Sequence, residues 1–301
     1  MSNTLNMTST VIASTALKAL NIKLAPILGK FTTDFSTEAF KGGILSTRVV
    51  PASGAAVALA DYSNDRSNAN VSGSTTTTAV NVTMVEYGTG FYLDDFELAG
   101  MEAGKITDTH DKIIAKKVNA LGSKLLALTY AKMTASNFSN SQLVSNAFSY
   151  DTVAGVIRPA ANVLGFDTEE NCMILNSTYA GYLRIDDKVS DPVRNGVIEA
   201  NSLGNIAGFD TIEDSALPDN SEYLVGFCAT PSALVVCARP TLCSSPDKMT
   251  MYEVVQDPET GLVLTVAGFY SPETRRNTIT VECMFGVEKA VAGALIRLKT
   301  A

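Results

Sequence analysis

Histidine is almost absent from this sequence. His110 stands alone in 301 residues, which excludes a histidine-built metal site and any mechanism needing two imidazoles. Charge is also sparse, at 18% Asp, Glu, Lys and Arg against a usual ~25%. What charge there is leans acidic: 23 basic and 31 acidic residues give a net charge of −8. An acidic chain lacks the electrostatic footprint of a dedicated nucleic-acid binder or of a basic membrane-surface module. No apolar run approaches the ~18 residues that a spanning helix needs. A secretory leader is missing as well, because Met1–Thr10 carries no basic residue and Lys18 interrupts the one apolar candidate, Val11–Leu20. The expectation is a chain made and folded in the cytoplasm.

Catalytic motifs are equally scarce. There is no G-x-S-x-G, no phosphate-binding loop and no complete G-x-G-x-x-G. Gly88-Thr89-Gly90 is a fragment of the last, with no helix pattern after it, and reads as a bend. The acidic doublets Asp94-Asp95, Glu169-Glu170 and Asp186-Asp187 read as solvated turns, since neighbours on a strand point to opposite faces. Five cysteines, Cys172, Cys228, Cys237, Cys243 and Cys283, form no C-x-x-C and mostly sit in apolar runs. They read as buried free thiols. His110, in the first turn of a helix, reads as solvated. Arg275-Arg276 follows Pro272 and reads as a surface turn, as one side of an inter-subunit ion pair, or as a phosphate contact. No residue is assigned a catalytic, cofactor-binding or metal-ligating role, no cofactor is expected, and the chain reads as a non-enzyme.

What is present is a foldable α+β pattern. Hydrophobic residues make up 46% of the chain, enough for a sizeable core over the roughly two domains that about 150 residues each would give. Thr15–Leu24 carries a short helical stripe, expected to close at Pro26 and to dock on something, because so short a helix is marginal alone. Ile44–Val50 reads as a strand. Ala52–Ala79 turns sharply to Ser, Asn, Thr, Gly and Ala, and Val80, Val82 and Met84 then alternate as a strand would. Together they suggest a long β-hairpin projecting from the body.

The strongest helix runs from Asp108 to about Met133. Ile114, Val118, Leu121, Leu125 and Leu128 form one stripe, Thr107 is placed to cap it, and Lys112, Lys116 and Lys117 cover the other face. Asp151–Leu164 reads as a helix that Pro159 should kink or split. A buried strand at Cys172–Leu175 leads to a short helix that Ser177 caps. Asp186–Leu203 reads as a polar loop. Strands are expected at Asn205–Ile212 and Tyr223–Ala229, followed by a small helix from Pro231 to Ala238. Met249–Val255 and Leu262–Tyr270 flank the turn at Asp257–Gly261, and a last strand covers Thr278–Phe285.

Taken in order, these parts resemble a tailed-bacteriophage major capsid (coat) protein of the Hong Kong 97-type fold, closest in texture to the Salmonella-phage coat group. The similarity rests on several stretches. Met1-Ser2-Asn3-Thr4-Leu5, the short helix and the Ile44–Pro51 strand resemble the N-terminal arm and its exit. The polar hairpin stands where that family has its extended loop, and the Asp108–Met133 helix where it has its spine helix. More specific are Cys172–Asn176 with Tyr179–Leu183, then Gly204-Asn205-Ile206-Ala207-Gly208-Phe209, Leu217–Asn220, and Phe227–Ala238 ending in Arg239. Asp257–Gly261 and Phe285-Gly286-Val287 resemble the late hairpin and closing strand.

The resemblance implies four parts: an N-terminal arm (1–43), an extended loop with flanking strands (44–90), a peripheral domain (91–147 and 240–285), and an axial domain (148–239 and 286–301). It implies a structural protein of the virion that self-assembles into pentamers and hexamers of an icosahedral head. An encapsulin-like nanocompartment shell or another phage structural protein, such as a tail-tube subunit, are the alternatives. The implied partners are other copies of the chain, a separate scaffolding protein, a portal, a cement or decoration protein, and packaged double-stranded DNA contacted weakly and non-specifically; no membrane is involved. A separate scaffold is expected because the arm starts almost at Met1. No lysine lies between Lys41 and Lys105, so the isopeptide cross-links of some relatives are not expected. The acidic balance suits a lining that does not grip DNA.

Overall fold

The computed structural model describes residues 9–34, 40–41, 44–49, 78–94, 107–166, 170–190, 202–241, 243, 248–256 and 261–300. The chain divides into two compact units: Met1–Leu45, Val82–Lys132 and Val235–Glu288 form the first, and Ser46–Asn81, Met133–Leu234 and Lys289–Ala301 the second. Most of the expected polar hairpin (50–77), much of the expected loop before Gly204 (191–201) and the turn residues 257–260 lie outside the described residues.

In the first unit, helix α1 (Ser9–Phe31) packs along helix α2 (Thr107–Tyr130). Ala13, Ala16, Leu20, Leu24, Ile27 and Phe31 are buried, at steps of three or four that lay one stripe along the helix. Of the stripe expected for α2, Ile114, Val118, Leu121 and Leu125 are buried while Leu128 is only half-buried, and Leu126 and Tyr130 are buried in addition. Phe31 stacks on Tyr130 at 6.4 Å. The expected docking of the first helix is thus found, but α1 does not stop at Pro26. A proline inside a helix removes one hydrogen bond and costs about 3 kcal/mol. Buried Ile27, Leu28 and Phe31 each return about 1.5–3 kcal/mol, so the helix continues until Thr32 donates its hydroxyl back to the Leu28 carbonyl at 2.6 Å. Helix α2 includes Thr107 as its first residue, one position earlier than a Thr107 cap requires.

Beneath the helices lies a six-stranded sheet. Strands β1 (Thr32–Asp34), β11 (Leu234–Arg239), β14 (Arg276–Lys289), β13 (Val263–Ser271) and β12 (Met251–Gln256) are neighbours in that order, and β5 (Val85–Asp94) pairs with β14. β12 and β13 form the expected late hairpin, with Gln256 opposite Val263. Two expectations fail here. The run Leu234–Ala238 is a strand, not a helix: it is buried on both faces, as a short apolar run with paired valines in a sheet interior should be. Gly88 and Gly90 are not a bend, because they sit inside β5 opposite Glu282 and Thr280. A Cβ at Gly88 would lie 2.9 Å from the Glu282 Cγ, and one at Gly90 3.2 Å from the Thr280 Cγ2, so the glycines give room to side chains leaning across from β14.

A separate small sheet joins β2 (Phe40–Lys41), β3 (Ile44–Val49) and β4 (Thr78–Thr83) in that order. β3 and β4 flank the polar stretch as expected.

The second unit is built on another six-stranded sheet, ordered β6 (Ser141–Leu143), β15 (Leu295–Lys299), β10 (Leu224–Ala229), β7 (Cys172–Leu175), β9 (Phe209–Glu213) and β8 (Ser202–Ile206). Against it pack Val153, Ile157 and Ala161 from a helical run, Phe148 and Phe166 from either side of that run, and Tyr179, Ala180 and Leu183 from helix α5 (Ser177–Ile185). The run reads α3 (Tyr150–Thr152), a π-turn (Val153–Ile157) and α4 (Arg158–Val163). A wider turn just before Pro159 is how a helix absorbs a proline without breaking, which realises the kink expected there.

Three local readings change. Asn176, not Ser177, caps α5, its Oδ1 accepting from the Tyr179 amide at 3.0 Å. Asp186 opens a further short helix, α6 (Asp187–Ser190), where a loop was expected. Its Oδ2 also accepts from the Tyr150 amide at 2.7 Å and its Oδ1 from the Lys188 amide at 2.9 Å. The expected strand Asn205–Ile212 is a hairpin, β8 turning into β9 through Ala207 (φ 51°) and Gly208 (φ 87°). Two left-handed residues match the twist of a two-residue hairpin, and Asn205 Oδ1 holds the Gly208 amide at 2.9 Å.

Candidate assembly surfaces

Several charged side chains of the described residues are engaged in pairs. Arg184 meets Glu213 at 2.8 Å, Lys188 meets Asp151 at 2.6 Å, and Lys132 meets Glu288 at 2.6 Å. Hydrogen bonding to Asp151 holds the Lys188 ammonium above its ordinary pKa. Among the described residues, no group of three or more His, Cys, Asp and Glu is placed to hold a metal ion. His110 lies in the first turn of α2 as expected.

The cysteines are free thiols, with Cys172, Cys228, Cys237 and Cys283 buried and Cys243 half-buried. Burial pushes the Cys283 thiol up to about 12 and Cys228 well above its ordinary value, with Cys172 adding to the effect and Arg158 opposing it. Thiols so raised are protonated near neutrality and are poor nucleophiles. Asp94 lies in β5 and Asp186 caps two helices; Asp95 and Glu169 are outside the described residues.

The surfaces are more telling. α1 packs on β12 and β13, and α2 on β5, so the helices cover one face of the first sheet, where Val266, Ile279, Val281 and Cys283 are buried. Directly opposed residues share a face, so the register puts Phe269, Thr278 and Tyr92 together on the other face, beside Ala267, Thr280 and Gly90. That face is open: Tyr92 is 57% and Phe269 46% exposed. Arg276 lies over the Tyr92 ring at 4.4 Å, while Arg275 takes a left-handed φ of 49° in the β13–β14 turn. Arg275 thus lies in a turn, while Arg276 is the first residue of β14.

One end of the open face is covered by the segment that follows β11. The Thr241 amide donates to Thr265 Oγ1 at 3.1 Å and its hydroxyl to Glu282 Oε2 at 3.3 Å, beside a cavity of about 240 Å³ that Cys243 and Tyr252 help line. β5 pairs with β14 along its ten residues and has no other strand partner among the described residues. A long unpaired edge offers N–H and C=O groups to another chain.

The second unit exposes Val163 and Ile185, each 79% accessible, at the ends of α4 and α5. It also presents Tyr223 from a turn in which Asn220, Ser221 and Tyr223 all have positive φ. Such non-glycine residues cost of order 1 kcal/mol each and persist only where their surroundings hold them. The anchor is Arg297, only 3% exposed: its guanidinium pairs with Glu222, and its Nε donates to the Phe138 carbonyl at 2.8 Å. Glu222 Oε1 also accepts from the Ala135 amide at 2.8 Å, and Asn220 Nδ2 donates to the Met133 carbonyl at 3.1 Å. Sequence reasoning passed over this cluster, although a lone arginine inside Leu295-Ile296-Arg297-Leu298 was a signal, since a buried charge needs a partner.

No protein-family model matches the sequence, and no curated protein is similar to it. Solved structures are similar in fold over nearly the whole chain. The virus-like particle from Pyrococcus furiosus is 13% identical, with a TM-score of 0.57, over 96% of this chain and 98% of that one. The capsid of the cyanophage P-SCSP1u is 12% identical, with a TM-score of 0.56, over 91% and 88%. The capsid of Ralstonia phage GP4 is 10% identical, with a TM-score of 0.55, over 90% and 89%. At such identities the likeness is one of backbone architecture: this chain has the Hong Kong 97-type capsid fold.

Proposed function

We propose that this chain is the major capsid protein of a tailed double-stranded DNA bacteriophage, assembling into the pentamers and hexamers of an icosahedral head. The observation that carries the reading is the fold likeness to a phage capsid chain and a virus-like-particle chain, over 91% or more of this chain and 88% or more of theirs. The 24-residue α2, which a tail-tube subunit would lack, and the phage capsids among the similar structures favour this over the alternatives. In such a protein 1–43 is the arm, 44–90 the extended loop with its flanking strands, 91–147 and 240–285 the peripheral domain, and 148–239 and 286–301 the axial domain; most of the peripheral residues fall in the first compact unit and most of the axial ones in the second.

The physical logic is that of a head-to-tail contact that closes into rings. The open edge of β5 and the exposed apolar side chains of both units find partners on neighbouring copies. No described helix is long and apolar enough to cross a membrane, and the product is a virion component assembled in the host cytoplasm. A separate scaffolding protein, a portal and a cement protein complete the head.

Electron microscopy of nuclease-treated particles from cells making the chain, alone and beside its neighbouring genes, tests this. Closed shells or aberrant polyheads support it. Monodisperse monomers under both conditions refute it.

A further inference from the structure

The lysines of α2 are set apart from the acidity of the rest of the chain. Lys112, Lys116, Lys117, Lys124 and Lys132 fall within 21 residues, and no Asp or Glu occurs between Asp111 and Asp151. Lys132 is engaged by Glu288, and Lys112 has Asp108 and Asp111 near it in sequence. Lys116, Lys117 and Lys124 are exposed, on the side of α2 away from the buried stripe, within about 100° of arc at 100° per residue. At 1.5 Å per residue the outer two are about 12 Å apart along the helix. Between them the exposed surface is Asn119, Ala120 and Ser123, continuing to Ala127. Ser123 turns its hydroxyl back to the Asn119 carbonyl at 2.9 Å. Among the described residues of α2, nothing bulky or acidic on this face keeps a rod-like polyanion from the ammonium groups.

We infer that this face of α2 is a contact for the phosphate backbone of duplex nucleic acid. The inference deepens the capsid reading, and rests on it, by naming where the enclosed genome is touched. Duplex DNA carries one charge per about 1.7 Å of axis, so a 12 Å array of three lysines meets several phosphates in any orientation along it. Three ammonium groups without an aromatic or a bidentate reader give a contact that is weak and blind to sequence. A chain of net charge −8 can in this way repel the bulk of the packaged nucleic acid while one helix face touches it.

The test measures binding of a fluorescent 20-base-pair duplex to the full chain, unassembled, as a function of salt. Lys116→Gln/Lys117→Gln/Lys124→Gln is compared with wild type and with Lys18→Gln/Lys248→Gln/Lys299→Gln, which changes the net charge equally. The α2 triple should lose roughly 2.7 from the slope of log K against log salt, at ~0.9 per phosphate, while the control keeps its slope. Lys116→Arg/Lys117→Arg/Lys124→Arg should restore it, which guards against a folding defect. An equal loss in both glutamine triples, or no loss in either, overturns the inference. So does lysine-dependent binding of polyglutamate with no binding of duplex, which would mark the face as one for an acidic protein. Shell formation by wild type is scored separately by microscopy, so a chain that forms no shells yet binds duplex through these lysines sinks the capsid reading alone.

Discussion

Replacing Arg297 by methionine tests whether the second unit depends on its buried charge. Methionine fills much of the stem volume and keeps the strand backbone bond from the Arg297 amide to the Asn140 carbonyl at 3.0 Å. What disappears is the cation facing Glu222 and the donor to the Phe138 carbonyl. Breaking a buried pair by removing one partner costs about 3–5 kcal/mol. The Glu222 side chain is 26% exposed, so water rescues part of its charge, and the loss should fall near 2–3 kcal/mol. Glu222→Gln keeps an acceptor for the Ala135 amide and should cost about 1 kcal/mol. The double variant should then be less destabilised than the sum, with a coupling of about 1–2 kcal/mol.

Urea unfolding of the unassembled chain reads these values. Hydrogen exchange at Ala135 supplies a local reading, because its amide loses an ordered acceptor once Glu222 is freed. A cost below about 0.5 kcal/mol for Arg297→Met, or a coupling near zero, would refute the argument that this pair holds the strained turn at Asn220–Tyr223.

Three further outcomes are expected. Gly226→Ala would place a Cβ 2.6 Å from Leu175 Cδ2 and 2.7 Å from the Ile174 carbonyl, and should destabilise by at least 1–3 kcal/mol; Gly181→Ala in α5 meets nothing within 4 Å and should stabilise by about 0.5–1 kcal/mol, so equal unfolding midpoints would contradict the packing. The folded Cys283 thiol is raised from 9.0 to about 12, so the stability tied to its protonated form is fully present below the ordinary value and drains away as pH rises toward the folded one. Cys283→Ala should flatten that alkaline decline, and a thiol reagent at neutral pH should reach half-buried Cys243 before the four buried cysteines. Val163→Asp with Ile185→Asp should change the stability of the unassembled chain by no more than about 0.5 kcal/mol while lowering the yield of shells seen by electron microscopy; a full yield would remove both side chains from the subunit contacts.

Legibility followed the range of the interactions. The α2 stripe could be read directly, because a helix face is defined by residues three and four apart and leucines at that spacing have one economical arrangement. The β12–β13 hairpin and the disturbance before Pro159 were equally local. Pro26 misled because its penalty is local, while the burial of Ile27, Leu28 and Phe31 that overrides it comes from packing on segments distant in the chain, Phe31 on Tyr130 among them. Leu234–Ala238 misled because a run apolar on every side shows no period, and only its place between two other strands makes it extended.

The candidate surfaces were the least legible part. Period-two alternation shows that Tyr92 and Phe269 stand on strand faces, but not which face the helices cover. Arg297 and Glu222 lie 75 residues apart, and only the sheet order brings them together. Local patterns alone were enough to define the elements with a clear period and the burial of most of the thiols. The tertiary structure decided which faces are covered, which edges are open and which charges are paired, because those depend on contacts between segments that no local pattern encodes.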